Sequence, residues 1–250
     1  MVLFDYSREP HSDIAFVDMK SFYASCECIS LGLDPLKTSL CVMSRIENSA
    51  GLILAATPLF KKNFGSQNVS RSYNLPFNVH TRKFNYAAAH KQGLPITADY
   101  VRFIEDAAQK TLLVPPRMNY YIQKNMEIQK IFQDFAAPDD IFPYSIDEGF
   151  LDLTSSINYF IPDQTLDRRT KLDLLAARIQ QAIWKKTGIY ASIGLSNANP
   201  LLAKLALDIE AKHTKKMRVN WSYEDVPSKV WTIPTMTDFW DIGHRTATRL

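Results

Sequence analysis

The apolar run Ile14-Ala15-Phe16-Val17 breaks off at Asp18, the pattern of a buried strand that carries an acid at its end. Helical spacing takes over from Ser21 to Ile29, so Asp18 falls at a strand-to-helix junction. Ser39 to Met43 and Leu52 to Ala55 read as two further strands, separated by the polar loop Ser44 to Gly51. Thr57-Pro58 offers an N-cap and a first-turn proline and Gly65 a stop, which predicts a short helix between them. From Ser70 to Leu113 the periodicity is weak; Pro76, Gly93 and Pro95 interrupt it, and only Asp99 to Lys110 reads as helix. Pro115-Pro116 marks a boundary, after which Asn119 to Phe135 carries apolar residues at helical spacing.

The segment Tyr144-Ser145-Ile146-Asp147-Glu148-Gly149-Phe150-Leu151-Asp152 alternates into an acidic pair and out again, so Ile141 to Leu153 is predicted as a hairpin with Asp147 and Glu148 at its tip. Leu166 to Lys186 is a long amphipathic helix with Leu172, Leu175, Ile179 and Ile183 in one stripe, and Tyr190 to Leu195 returns as a strand. Beyond Leu207 the composition turns basic and then breaks into short helical pieces around Trp231, Trp240 and Thr246. The succession of strand, helix, helix, hairpin, helix and strand fits an α+β chain with a split βαβ sheet, which sets Asp18 beside the Asp147 tip.

Two acidic strand ends side by side collect cations. Mg²⁺ takes a few carboxylates while keeping waters and phosphates in its shell, and paired ions clamp the attacking and leaving oxygens of phosphoryl transfer. Each motif also has a plainer reading: an acidic pair in a turn is ordinary solvated chemistry, and an Asp after a strand is often a helix cap.

The residues around the acids favour the first reading. Val17-Asp18-Met19-Lys20-Ser21-Phe22-Tyr23-Ala24-Ser25-Cys26-Glu27 and Ser145-Ile146-Asp147-Glu148 resemble the two catalytic motifs of Y-family DNA polymerases, in their UmuC-like (ImpB/MucB/SamB-type) branch. Gly194-Leu195-Ser196 with Leu202-Ala203-Lys204-Leu205-Ala206 is similar to the later palm segment, and Asp241 to Leu250 to the start of the thumb helix-hairpin-helix. The resemblance implies a ferredoxin-like palm over residues 12–27 and 117–206, fingers over 28–116 and a partial helical thumb over 207–250. The family's little-finger domain is then absent and the chain is a fragment, expected to be weakly active or inactive alone.

The resemblance also implies the site. Asp18, Asp147 and Glu148, with the main-chain carbonyl of Met19, hold two Mg²⁺ ions. Tyr23 is the steric gate against ribonucleotides, with Phe22 beside it; Lys204, and Lys62 from the fingers, contact the triphosphate. Gly243, Arg245 and Thr246 offer a helix start to a DNA phosphate. The implied partners are primer-template DNA and deoxynucleoside triphosphates; a sliding clamp or recombinase filament would be met through regions outside this chain. The implied role is translesion synthesis and DNA repair in the SOS response of a bacterium, in the cytoplasm at the nucleoid. Two other readings stay open: a catalytically silent DNA-binding subunit, and a palm-domain nucleotidyl cyclase.

Bulk properties narrow this little further. The 250 residues are 46% hydrophobic and 22% charged, enough for a substantial core and too apolar for a disordered tail. The net charge of +3 is too mild to argue nucleic-acid binding, although Lys61-Lys62, Arg168-Arg169, Lys185-Lys186 and the run Lys212 to Arg218 concentrate it locally. Cys26, Cys28 and Cys41 match neither a disulfide framework nor zinc-finger spacing and are expected as reduced core thiols. No apolar run approaches the length of a membrane span, so no membrane partner is expected.

Overall fold

A computed structural model describes residues 5–45, 50–65 and 70–249. Residues 1–4, 46–49 of the polar loop, 66–69 and Leu250 of the terminal motif lie outside them. In chain order the strands are β1 (Ile14–Met19), β2 (Leu40–Met43), β3 (Ile53–Ala56), β4 (Leu112–Val114), β5 (Ile141–Pro143), β6 (Glu148–Asp152), β7 (Ala191–Ser196) and β8 (Arg218–Trp221). The α-helices are α1 (Phe22–Ser30), α2 (Pro58–Phe64), α3 (Tyr86–Gln92), α4 (Ala98–Gln109), α5 (Met118–Phe132), α6 (Ile157–Phe160), α7 (Arg168–Thr187), α8 (Pro200–Ile209), α9 (Val226–Lys229) and α10 (His244–Ala247). They pack as two units, residues 1–19 with 125–250 and residues 20–124.

The first unit is built on a five-stranded sheet in the order β5-β6-β1-β7-β8. β1 is antiparallel to both β6 and β7, and β5 and β6 form the antiparallel hairpin. β5, β6, β1 and β7 thus reproduce the split βαβ arrangement read from the sequence. β8 runs parallel to β7 at the sheet edge, joined to it through α8. Only Trp221 of its four residues is buried, so this fifth strand was hidden in a stretch whose composition suggested only a basic connection to helices.

Local signals set the helices. Asp167 accepts from the Thr170 N–H at the start of α7, and Gly188 ends it at φ 72°. Leu172, Leu175, Ile179 and Ile183 are all fully buried, as their stripe predicts. Arg168 ties the helix start to the buried Asp13, just ahead of β1, with Nε 2.6 Å from Oδ2. Asn199 caps α8 through the Leu202 N–H, with Pro200 in the first turn.

Strand alternation sorts the sheet faces. Ile14, Phe16 and Asp18 of β1 lie in register with Ser196, Gly194 and Ser192 of β7 and with Asp152, Phe150 and Glu148 of β6. Ile14 and Phe16 pack against Ala203 and Leu207, so this is the face that α8 covers. Gly194 makes that packing possible, because a Cβ there would sit 2.5 Å from the Leu207 nitrogen. On the opposite face, Met19 and Gly149 line a crevice with Ile128 and Phe132 of α5.

The second unit holds a three-stranded sheet, β3-β2-β4, with β4 parallel to β2. Met43, Ile53, Phe60, Phe64, Phe77 and Ile104 form its core, each large side chain contributing about 1.5–3 kcal/mol by leaving water. α2 starts on Thr57 and Pro58 and ends at Gly65, φ 62°, as expected. α3 and β4 were not predicted: α3 is capped by Asn85 inside the weakly patterned stretch, and β4 is only three residues long. In α1 the buried Glu27 accepts from both Arg117 Nε (3.0 Å) and Tyr121 Oη (2.7 Å). Cys26, Cys28 and Cys41 are buried.

Candidate active site

One end of the inner strands of the first sheet gathers the acids. Asp18, next to last in β1, is the register partner of Glu148, which opens β6. Asp147 precedes Glu148 in a turn whose shape Ser145 organises. The Ser145 hydroxyl accepts from the Glu148 N–H at 3.1 Å and donates to Asp147 Oδ1 at 3.0 Å. Met19 N–H donates to the Asp147 carbonyl at 2.9 Å, and Asn125 Nδ2 holds the Ile146 carbonyl at 2.8 Å. Two backbone-level ties therefore set the hairpin tip against β1 and α5.

α8 supplies the opposing charge. Lys204, only 4% exposed, donates to Glu148 Oε1 at 2.7 Å and to Asp208 at 3.3 Å, with its ammonium 5.0 Å from the centre of the Phe16 ring. Lys212, one turn past the helix, reaches Asp18 at 3.0 Å, Asp208 at 2.9 Å and Glu148 at 3.7 Å. Asp18, Glu148 and Lys204 thus lie together, with Asp147 next to Glu148 in the turn. Lys212 and Asp208 were missed as site residues, Lys212 having been grouped with a surface basic run. Their signal was the spacing Lys204, Asp208, Lys212 at successive i,i+4 positions, the pattern of one helical face, although the helix itself ends at Ile209 and Lys212 lies in the single turn after it.

Four carboxyl groups face two ammonium groups here, and the protonation states show the imbalance. Burial, with Glu148 close by, pushes the Asp18 carboxyl up to about 7 against the pull of Lys212. Burial likewise raises Asp147, only partly offset by the Ser145 hydroxyl. Burial also acts on Glu148, but hydrogen bonds from Asp18 and Lys204 outweigh it and hold that group below its usual value. Burial alone would pull Lys212 down, yet Asp18 and Asp208 hold its ammonium well above the ordinary lysine value.

This donor set suits a hard divalent cation. Besides the carboxylates, Ser192, across from Asp18 in the β1–β7 register, has a buried hydroxyl with no hydrogen-bond partner. Among the described residues, however, no three His, Cys, Asp or Glu side chains already close around one point. The lysines hold Asp18 and Glu148, and Ser145 holds Asp147.

The remaining candidates sit on other elements. Phe22 and Tyr23 begin α1 in the second unit; Phe22 is buried, and Tyr23 stacks on Tyr121 with ring centres 4.4 Å apart. Lys62 is exposed in the last turn of α2. Gly243 caps α10, and Arg245 and Thr246 in that single turn are exposed.

Residues 17–208, spanning both acidic motifs and Lys204, match the impB/mucB/samB family. The chain belongs to this family. Its relatives include the UvrX protein of Bacillus subtilis, whose name assigns it to UV-damage repair, at 33% identity over 97% of this chain and 48% of UvrX. DNA polymerase IV 2 of the same organism is 30% identical over 93% of this chain and 46% of its own length. The chain thus spans about half the length of these relatives. Among solved structures, DinB from Sulfolobus solfataricus (20% identity, TM-score 0.59) and an insertion ternary complex of Dbh DNA polymerase (22% identity, TM-score 0.64) share the fold over 95% of this chain and 56% of theirs. Both the Y-family relationship and the palm-type α+β fold expected from the motifs are therefore established. No described helix is long and apolar enough to cross a membrane.

Proposed function

We propose that the chain is the catalytic part of a template-directed DNA polymerase that acts in translesion synthesis and repair. The observation that carries this reading is the register of Asp18 with Glu148, with Asp147 adjacent and the buried Lys204 in hydrogen-bond contact with Glu148. Residues 12–27 and 117–206 would form the palm, 28–116 the fingers and 207–250 thumb residues. Asp18, Asp147 and Glu148, with the Met19 carbonyl, would hold two Mg²⁺ ions. Bound there, Mg²⁺ supplies charge that favours the primer 3′-alkoxide and neutralises the triphosphate and its leaving pyrophosphate.

The protein's own residues bind and orient. Lys204, already desolvated and fixed among Phe16, Glu148 and Asp208, is placed to take a phosphate oxygen. Lys62, exposed on α2, is the second phosphate contact in this reading. Tyr23, with Phe22 before it, packs against C2′ of the incoming sugar and leaves no room for a hydroxyl. Gly243, Arg245 and Thr246 position duplex phosphates without reading sequence. No protein nucleophile is required.

The test is primer extension by the protein in its full-length form. Asp147→Ala and Glu148→Ala remove single carboxylates at a partly exposed tip, so each variant should fold, bind primer-template DNA close to normally, and lose nucleotide addition. Near-normal extension by either would overturn the assignment, and formation of a cyclic nucleotide from a nucleoside triphosphate without primer or template would favour the cyclase reading instead.

A further inference from the structure

We propose that Lys212 is a built-in occupant of the carboxylate site, bridging Asp18, Glu148 and Asp208 while no divalent cation is bound and withdrawing onto Asp208 when one enters. The inference rests on the two-ion polymerase reading and adds a step to it, a competition between an internal ammonium and the metal.

The two lysines of the site differ in a way that assigns this role to one of them. Lys204 has a side chain only 6% exposed, between Glu148 and Asp208 and over the Phe16 ring, and has no room to leave. Lys212 has a side chain 31% exposed and follows the end of α8, so its flexible stem can swing. Its nitrogen lies 3.0 Å from Asp18 and 2.9 Å from Asp208. Asp208 is not among the expected ion ligands, so releasing Asp18 leaves Lys212 with an ion pair already made. That makes the exchange inexpensive. Held in place, the ammonium keeps Asp18 and Glu148 from closing around a cation, in line with the lack of a formed cage among the described residues. It also relieves the repulsion that buried acids would otherwise feel.

A competitor lowers apparent affinity by the fraction of time it holds the site. An ammonium in place about nine-tenths of the time lowers cation affinity about tenfold. Lys212→Met, which keeps the stem and removes the charge, should therefore bind Mg²⁺ about tenfold more tightly. Asp208→Asn removes the alternative partner and should bind Mg²⁺ more weakly than wild type.

The experiment is calorimetric titration of the whole protein with Mg²⁺ alone, without DNA or nucleotide, alongside NMR of protein labelled with ¹³C at the lysine ε-carbons. Lys212→Arg serves to assign the Lys212 signal should Lys212→Met fold poorly. The expected result is tighter binding by Lys212→Met, weaker binding by Asp208→Asn, and a Lys212 ε-signal that shifts in step with saturation. A Lys212 signal unmoved by saturating Mg²⁺, or unchanged affinity in a folded Lys212→Met, would overturn the inference while leaving the polymerase reading standing. If neither wild type nor Lys212→Met bound Mg²⁺, and Asp147→Ala extended primers normally, the reading itself would fall with it.

Discussion

Gly194→Ala tests whether the packing of α8 on β7 sustains both the fold and the site. The added Cβ would lie 2.7 Å from Leu207 Cβ, 2.5 Å from the Leu207 nitrogen, and closer still to the Ala203 carbonyl oxygen, where ordinary contacts begin at 3.4 Å. Two of these neighbours are backbone, so no rotamer change relieves the overlap. The helix must lift by about 1 Å, loosening the burial of Leu202, Ala203, Leu205, Ala206 and Leu207. Overpacking of this kind costs about 3 kcal/mol or more, and in a chain of this size each kcal/mol moves the melting temperature by about 2–4 °C. A loss of roughly 6–12 °C is expected. α8 also carries Lys204, so the 2.7 Å contact to Glu148 should lengthen and Mg²⁺ binding by the folded fraction should change. Thermal unfolding followed by circular dichroism, with Gly32→Ala as control, measures this directly. Gly32 has φ 70° and open space around it, so its substitution carries only a backbone penalty of about 1 kcal/mol. A Gly194→Ala protein that melts within a degree or two of wild type would refute the reasoning.

Three other outcomes are expected. Tyr23→Ala should raise ribonucleotide incorporation relative to deoxyribonucleotide in steady-state primer extension by the full-length protein; an unchanged preference would remove Tyr23 from the gate and point to Phe22. Glu27→Ala should destabilise by about 3 kcal/mol in denaturant titration, because the buried Tyr121 hydroxyl and the Arg117 guanidinium both lose their acceptor; a loss under 1 kcal/mol would show the network to be dispensable. Burial pushes the thiols of Cys28 and Cys41 up to about 12, so at pH 8 only about one in ten thousand is thiolate; both should resist an aromatic disulfide reagent until denaturant is added, and rapid labelling of either in the native protein would contradict the burial.

Part of this protein was legible in the chain itself. The β1 run, the α7 stripe and the caps at Thr57 and Gly65 are local, because burial periodicity and end chemistry depend on residues a few positions apart. The acidic pair at the hairpin tip was legible for the same reason, and the motifs around Asp18 and Asp147 pointed to the family. What escaped depends on pairing between distant segments. β4 and β8 are short strands that gain their ladders from β2 and β7, and nothing in their own composition asks for a sheet. Asp18 meets Glu148 and Ser192 only through register, and Lys212 meets Asp18 only because α8 lies on the face that Gly194 opens. In sequence Lys212 looks like one more solvated lysine in a basic run. Its charge acquires a role only once folding sets it against buried carboxylates, where the low dielectric makes an uncompensated acid costly and a neighbouring ammonium decisive.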